Sequence, residues 1–153
     1  MTLPYAALKK EMMAAADPER ARVNRWFFKT GKGQYGEGDV FIGLTVPQSR
    51  SIARKFRALP FKDTERTLRS KLHEERLIGL LILVDAFERS DKKGKKKIYH
   101  FYSKHADRAN NWDLVDLSAP KIVGRFLLDK PTRPLDVLSR SKDLWKRRIS
   151  IVS

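Results

Sequence analysis

At 153 residues with 41% hydrophobic side chains, the chain is long enough for one soluble domain that buries most of its unfolded surface. It has no cysteine, which excludes a disulfide framework, a cysteine-based zinc or iron–sulfur site and thiol nucleophiles. The 33 Lys and Arg against 18 Asp and Glu leave a net charge of +15, the balance of a polyanion binder whose commonest use is to neutralise a phosphate backbone; charge alone does not separate nucleic-acid chemistry from binding without chemistry.

Residues 3–16, rich in Ala, Leu, Met and Lys, read as a first helix, and the first thirty residues lack the apolar core and small-residue cleavage site of an export signal, so a cytoplasmic protein is expected. Asp17-Pro18 supplies an N-cap and a first-turn proline for a second helix running through Val23, Trp26 and Phe27. The glycine-dense segment that follows holds Gly31, Gly33, Gly36 and Gly38. No Lys-Ser/Thr pair comes after it and no alternating strand before it, so it reads as an ordered loop and not as a phosphate-binding one.

Thr45 or Val46 before Pro47 starts a helix in which Ile52, Ala53 and Phe56 form an apolar stripe, flanked by Arg50, Arg54, Lys55 and Arg57. Phe61-Lys62-Asp63 opens another. Residues 72–87 are the most hydrophobic segment, apolar nearly all round at Leu77, Ile78, Leu80, Leu81, Leu83 and Val84; this predicts a central buried helix, interrupted by Gly79 and too short to span a membrane. Residues 90–97, Ser-Asp-Lys-Lys-Gly-Lys-Lys-Lys, read as a solvated turn between helices, with a direct phosphate grip as the other reading. Ile98, Tyr99, Phe101 and Tyr102 fit the apolar stripe of the next helix, with base stacking as the alternative. His73, His100 and His105 lack a repeated metal-ligand spacing, and no metal or organic cofactor is expected.

Arg76, Trp112 and Arg148 recur at intervals of 36 residues, each near the start of an apolar helical segment that follows a polar turn. A period of this length predicts an all-α fold, an α-solenoid of antiparallel helix pairs in which equivalent positions point into one concave basic groove. The most suggestive constellation is Asn110-Asn111-Trp112-Asp113-Leu114-Val115-Asp116. With an asparagine as cap, Trp112 and Asp116 share one helix face while Leu114, Val115 and Leu117 pack inward. The pattern by itself fits two readings: a carboxylate poised beside an aromatic plane, or a core tryptophan with Asp113 at the helix N-terminus and Asp116 paired to an arginine. Trp145, beside Arg148, has the same two readings.

The segments Trp112-Asp113-Leu114-Val115-Asp116 and Leu144-Trp145-Lys146-Arg147-Arg148-Ile149 carry a resemblance to a known family. So do the N-terminal Phe27-Phe28-Lys29-Thr30-Gly31, Gln34-Tyr35-Gly36-Glu37-Gly38-Asp39, Phe41-Ile42-Gly43 and Val46-Pro47. Over nearly its whole length the chain resembles the AlkD-type DNA alkylation-repair family. The resemblance implies HEAT-like helical repeats whose concave basic face cradles duplex DNA, and a monofunctional glycosylase that hydrolyses the N-glycosidic bond of N3- and N7-alkylated purines. It implies Asp116 as the catalytic carboxylate, Trp112 as an aromatic wall against the sugar and Arg148 as a phosphate contact. Trp145, Arg147, Lys146 and Arg76 complete the expected DNA-binding set, and no cofactor is called for.

The chemistry suits those residue types. An alkylated purine is already cationic and leaves without being protonated, so the enzyme has only to stabilise the oxocarbenium ion, which a carboxylate and a π-face both do. The family is expected to leave the lesion stacked, unlike glycosylases that flip the base into a pocket. Members usually continue for several helices beyond the Trp-x-x-Arg element, so the expectation is a single helical-repeat domain over residues 1–153 that is incomplete at its C-terminal end. A monomer is expected, with self-association through an exposed apolar face of the last repeat. The alternatives to an enzyme are a nucleic-acid-binding helical-repeat module without catalysis and a basic α-solenoid scaffold for an acidic protein.

Overall fold

The computed structural model describes residues 3–153 and is all-α, as expected; among these residues the one β-type pairing is an isolated parallel bridge between Val40 and Leu72. The chain divides into two compact units, Met1–Ile82 and Leu83–Ser153.

The first unit holds α1 (Tyr5–Ala14), α2 (Pro18–Phe27), α3 (Val46–Lys55), α4 (Phe61–Leu68) and the first part of α5 (His73–Arg89). The caps fall where the sequence puts them. The Asp17 carboxylate accepts the Arg20 N–H with Pro18 in the first turn of α2, and Thr45 and Gln48 form a reciprocal capping box at α3. Ile52, Ala53 and Phe56 are buried as predicted. In the glycine-dense loop, the Gly31 and Gly33 N–H groups donate to Gln34 and Glu37 and the Gly36 N–H to the Lys29 carbonyl, so the loop is braced from within. It returns to α2 at Gly43, whose φ of +88° and whose position, 2.0 Å from a built Cβ to the Asp17 carbonyl, admit only glycine. Gly79 has a different use: a Cβ there would stand 2.0 Å from Thr67 Oγ1, so it sets the close approach of α5 to α4.

The first turn of α5 runs His73-Glu74-Glu75-Arg76, and all four residues are buried. His73 Nδ1 lies 2.7 Å from Asp39, and Arg76 donates to both Asp39 (2.5 Å) and the Ser70 carbonyl (3.0 Å). Glu74 accepts the backbone N–H groups of Ile42 and Gly43, and Glu75 accepts from Tyr5, Lys9 and Ser70. Buried charges persist only when paired in this way. Burial and the Glu75 carboxylate push the Tyr5 hydroxyl well above its usual range. Asp39 moves the other way: burial would raise its carboxyl, but the hydrogen bond and charge of His73, together with Arg76, outweigh that and hold it below the usual 3.8. The His73 ring stacks on Phe41 at 4.4 Å, sealing the hub with aromatic carbon.

The second unit holds the rest of α5, then α6 (Lys92–Lys104), a 3-10 turn (Ala106–Arg108), α7 (Trp112–Asp116), a π-helical turn (Pro120–Gly124), α8 (Arg125–Leu127), α9 (Arg133–Ser139) and α10 (Leu144–Val152). Here the lysine run departs from expectation. It is not a turn: Asp91 accepts the Gly94 N–H at 2.8 Å and α6 begins at Lys92. The N-cap and the need to carry Ile98 and Tyr102 into the core outweigh the repulsion between lysines and the positive end of the helix. Tyr102 is buried and donates to Ser118, whose own hydroxyl donates to the Leu114 carbonyl. Tyr99 and Phe101 are only half-buried, and Tyr99 stacks on Phe126 at 4.2 Å. The middle of α6 therefore lies against α8, and its last turn against the residues following α7. Leu114, Val115, Ile122 and Ile149 are fully buried and tie α7, the π-turn and α10 together.

Candidate functional site

The Trp112–Asp116 segment is a helix of 5 residues, too short to stand on propensity, and polar locks at its start hold it. The Asn111 side chain accepts the Trp112 N–H at 2.8 Å, and the buried Asp113 carboxylate accepts the Leu114 N–H at 2.8 Å. Leu114 and Val115 face the core, which leaves Trp112 and Asp116 half-buried at the edge of the unit. Of the two asparagines considered, Asn111 is the cap.

Asp116 and Arg148, 32 residues apart in sequence, meet in a fork-on-fork pair: Nε donates to Oδ1 and Nη2 to Oδ2, both at 2.7 Å. The two side chains retain 34% and 40% of their exposure. The hydrogen bond to Asp116 pushes the Arg148 guanidinium above its ordinary range. No protein group among the described residues bonds Nη1. α10 presents Arg148 because Asp143 caps it, accepting the Trp145 and Lys146 N–H groups, and because Ile149 anchors its inner face.

The other residues singled out divide. Trp145 and Lys146 are half-buried on the same helix as Arg148. Arg147 spends Nη1 on the carbonyls of Ser141 and Lys142, stapling the turn before α10. Arg76 is a correction. It is 2% exposed and committed to Asp39, so it is withdrawn from the DNA-binding set, and the 36-residue recurrence does not give Arg76 and Arg148 equivalent environments. The helices that carry the three residues start at His73, Trp112 and Leu144, not at a constant interval, and the hub at the start of α5 decides the burial of Arg76. Sequence reasoning missed that hub. The signal was available, since four charged or titratable residues opening a helix that is apolar all round must follow it into the core.

Together Asp116, Arg148 and Trp112 form a surface carboxylate braced by a cation and carried on the same short helix as an aromatic ring. Among the described residues no group of His, Asp and Glu could hold a metal ion, and no helix is long and apolar enough to cross a membrane. The profile of the DNA alkylation repair enzyme family matches residues 8–153. The chain belongs to that family. Membership makes it an enzyme of DNA alkylation repair with DNA as its partner. No curated protein and no solved structure matches the chain.

Proposed function

We propose that this DNA alkylation repair enzyme is a monofunctional glycosylase that releases N3- and N7-alkylated purines from duplex DNA. The observation that carries the reading is the half-exposed Asp116–Arg148 pair, on one helix with Trp112. The N-glycosidic bond breaks with its electron pair going to the cationic base, which leaves neutral. Asp116 stabilises the oxocarbenium ion at C1′, water adds there, and its proton passes to the carboxylate or to solvent, leaving an abasic site. Arg148 orients Asp116 through Nε and Nη2 and offers Nη1 to a backbone phosphate, and Trp112 lends a π-face to the cationic sugar. Trp145, Lys146 and Arg147 extend the contact along α10. A carboxylate at the surface suits attack on a lesion that stays stacked.

The test is release of free N7-methylguanine from a duplex. Asp116→Asn is expected to lower the release rate on the order of 100-fold or more while DNA binding persists. Unchanged release in that variant removes the carboxylate from the mechanism. The second reading, a module that binds DNA without cleaving it, draws on the same pair, because Arg148 already satisfies both carboxylate oxygens; no release from native protein that binds the duplex would favour it. Val137, Leu144 and Ile151 are exposed on α9 and α10, which supports self-association at this face; a concentration-independent monomer in sedimentation velocity would end that expectation.

A further inference from the structure

The lysine run at the start of α6 has a role in neither the core nor the Asp116 site. In the second unit it forms one wall of a cleft of about 860 Å³. Lys92, Lys95 and Lys96 stand on one side, and Lys121, Arg125 and Lys130 on the other. Six cations thus face two carboxylates, Glu88 and Asp129, and none of the six forms an ion pair among the described residues. α6 also aims its unbonded N–H groups and the positive end of its dipole to this end, so the cleft gathers positive charge that the protein itself leaves uncompensated.

Its aromatic floor fixes the kind of anion. Lys95 lies over Phe87 at 5.5 Å, Lys130 over Phe126 at 4.3 Å, and Tyr99 stacks on Phe126, so the rings are engaged in holding cations in place and Phe87 is itself buried. A site for single-stranded nucleic acid needs ring faces open to bases. This one offers point charges, mostly lysine, suited to phosphates of any sequence. Tyr102 bonds Ser118 just after α7, near the C-terminal end of α6, whereas the cleft is lined by Lys92, Lys95 and Lys96 at the N-terminal end of the same helix.

We propose that this cleft is a second DNA-binding site that grips the phosphate backbone of undamaged duplex away from the lesion, and so supplies affinity that does not depend on damage. The proposal rests on DNA as the partner, but not on glycosylase chemistry. The test is the salt dependence of binding to an undamaged duplex. Lys92→Gln/Lys96→Gln/Lys121→Gln is expected to make the slope of log K against log salt shallower by about 2 to 3, because each phosphate contact carries about 0.9. A charge-matched control, Lys10→Gln/Lys62→Gln/Lys71→Gln, exposed positions outside the cleft, is expected to change it far less. Equal slopes for native and triple variant, or equal loss in the control, would overturn the proposal. So would loss of polyglutamate binding with the DNA slope intact, which would make the cleft a protein-docking site. If the triple variant does not fold, Lys121→Gln/Arg125→Gln gives the same reading with an expected change of about 2. Since base release is not measured, a failed glycosylase assay leaves this outcome legible.

Discussion

Each unit contains an arginine–aspartate pair, and the two could hardly be used more differently. In Asp39–Arg76 the side chains keep 6% and 2% of their exposure; in Asp116–Arg148 they keep 34% and 40%. The first pair has further partners, His73 on the carboxylate and the Ser70 carbonyl on the guanidinium, and only the buried Nε of Arg76 bonds nothing among the described residues. The second leaves Nη1 open to solvent. Identical ion-pair chemistry is therefore an internal fastening in one unit and stands at the surface in the other, where the proposed function draws on it, and burial is what separates them.

The sharpest way to break this contrast is Arg76→Ala, which leaves the buried Asp39 with His73 alone and is expected to cost about 3–5 kcal/mol in urea unfolding. A cost near that of a surface pair would dissolve the distinction. Gly79→Ala probes the packing that holds the hub's helix: its Cβ would meet Thr67 Oγ1 at 2.0 Å, and a loss of about 1–3 kcal/mol is expected. Acid addresses the hub without mutation. Because the folded Asp39 carboxyl is held below 3.8, its contribution is present above that value and is lost as pH falls through the lower folded value. The loss should be part of the Arg76→Ala effect, since protonation removes charge but not shape, and Asp39→Asn should flatten the acid limb of the stability curve. The smallest effect belongs to Arg148→Gln, expected to change stability by about 0–1 kcal/mol while weakening duplex binding; a large loss of stability would show that the second pair is a fastening too.

Local signals made the helices legible. Asp17-Pro18, the start of α3 at Thr45 or Val46 before Pro47 and the stripe of Ile52, Ala53 and Phe56 all depend on residues within a turn or two of each other, and they hold. The Trp112–Asp116 helix was legible for the same reason. What escaped was long-range. That Arg76 is buried depends on Asp39, 37 residues away, and no spacing rule in either segment reports the other. The lysine run was misread because charge density suggested a turn, whereas a single aspartate, Asp91, and two core residues further on decided for helix. The pairing of Asp116 with Arg148 was within reach of the sequence only as one unnamed arginine among many, because 32 residues separate them.

The hub at the start of α5 also bears on the order in which the chain is made. Tyr5, Lys9, Asp39, Ile42, Gly43 and Ser70 all precede the four side chains they satisfy. When His73-Glu74-Glu75-Arg76 leaves the ribosome, each of these partners has already been synthesised, and none of these bonds has to wait for a residue that has yet to be translated.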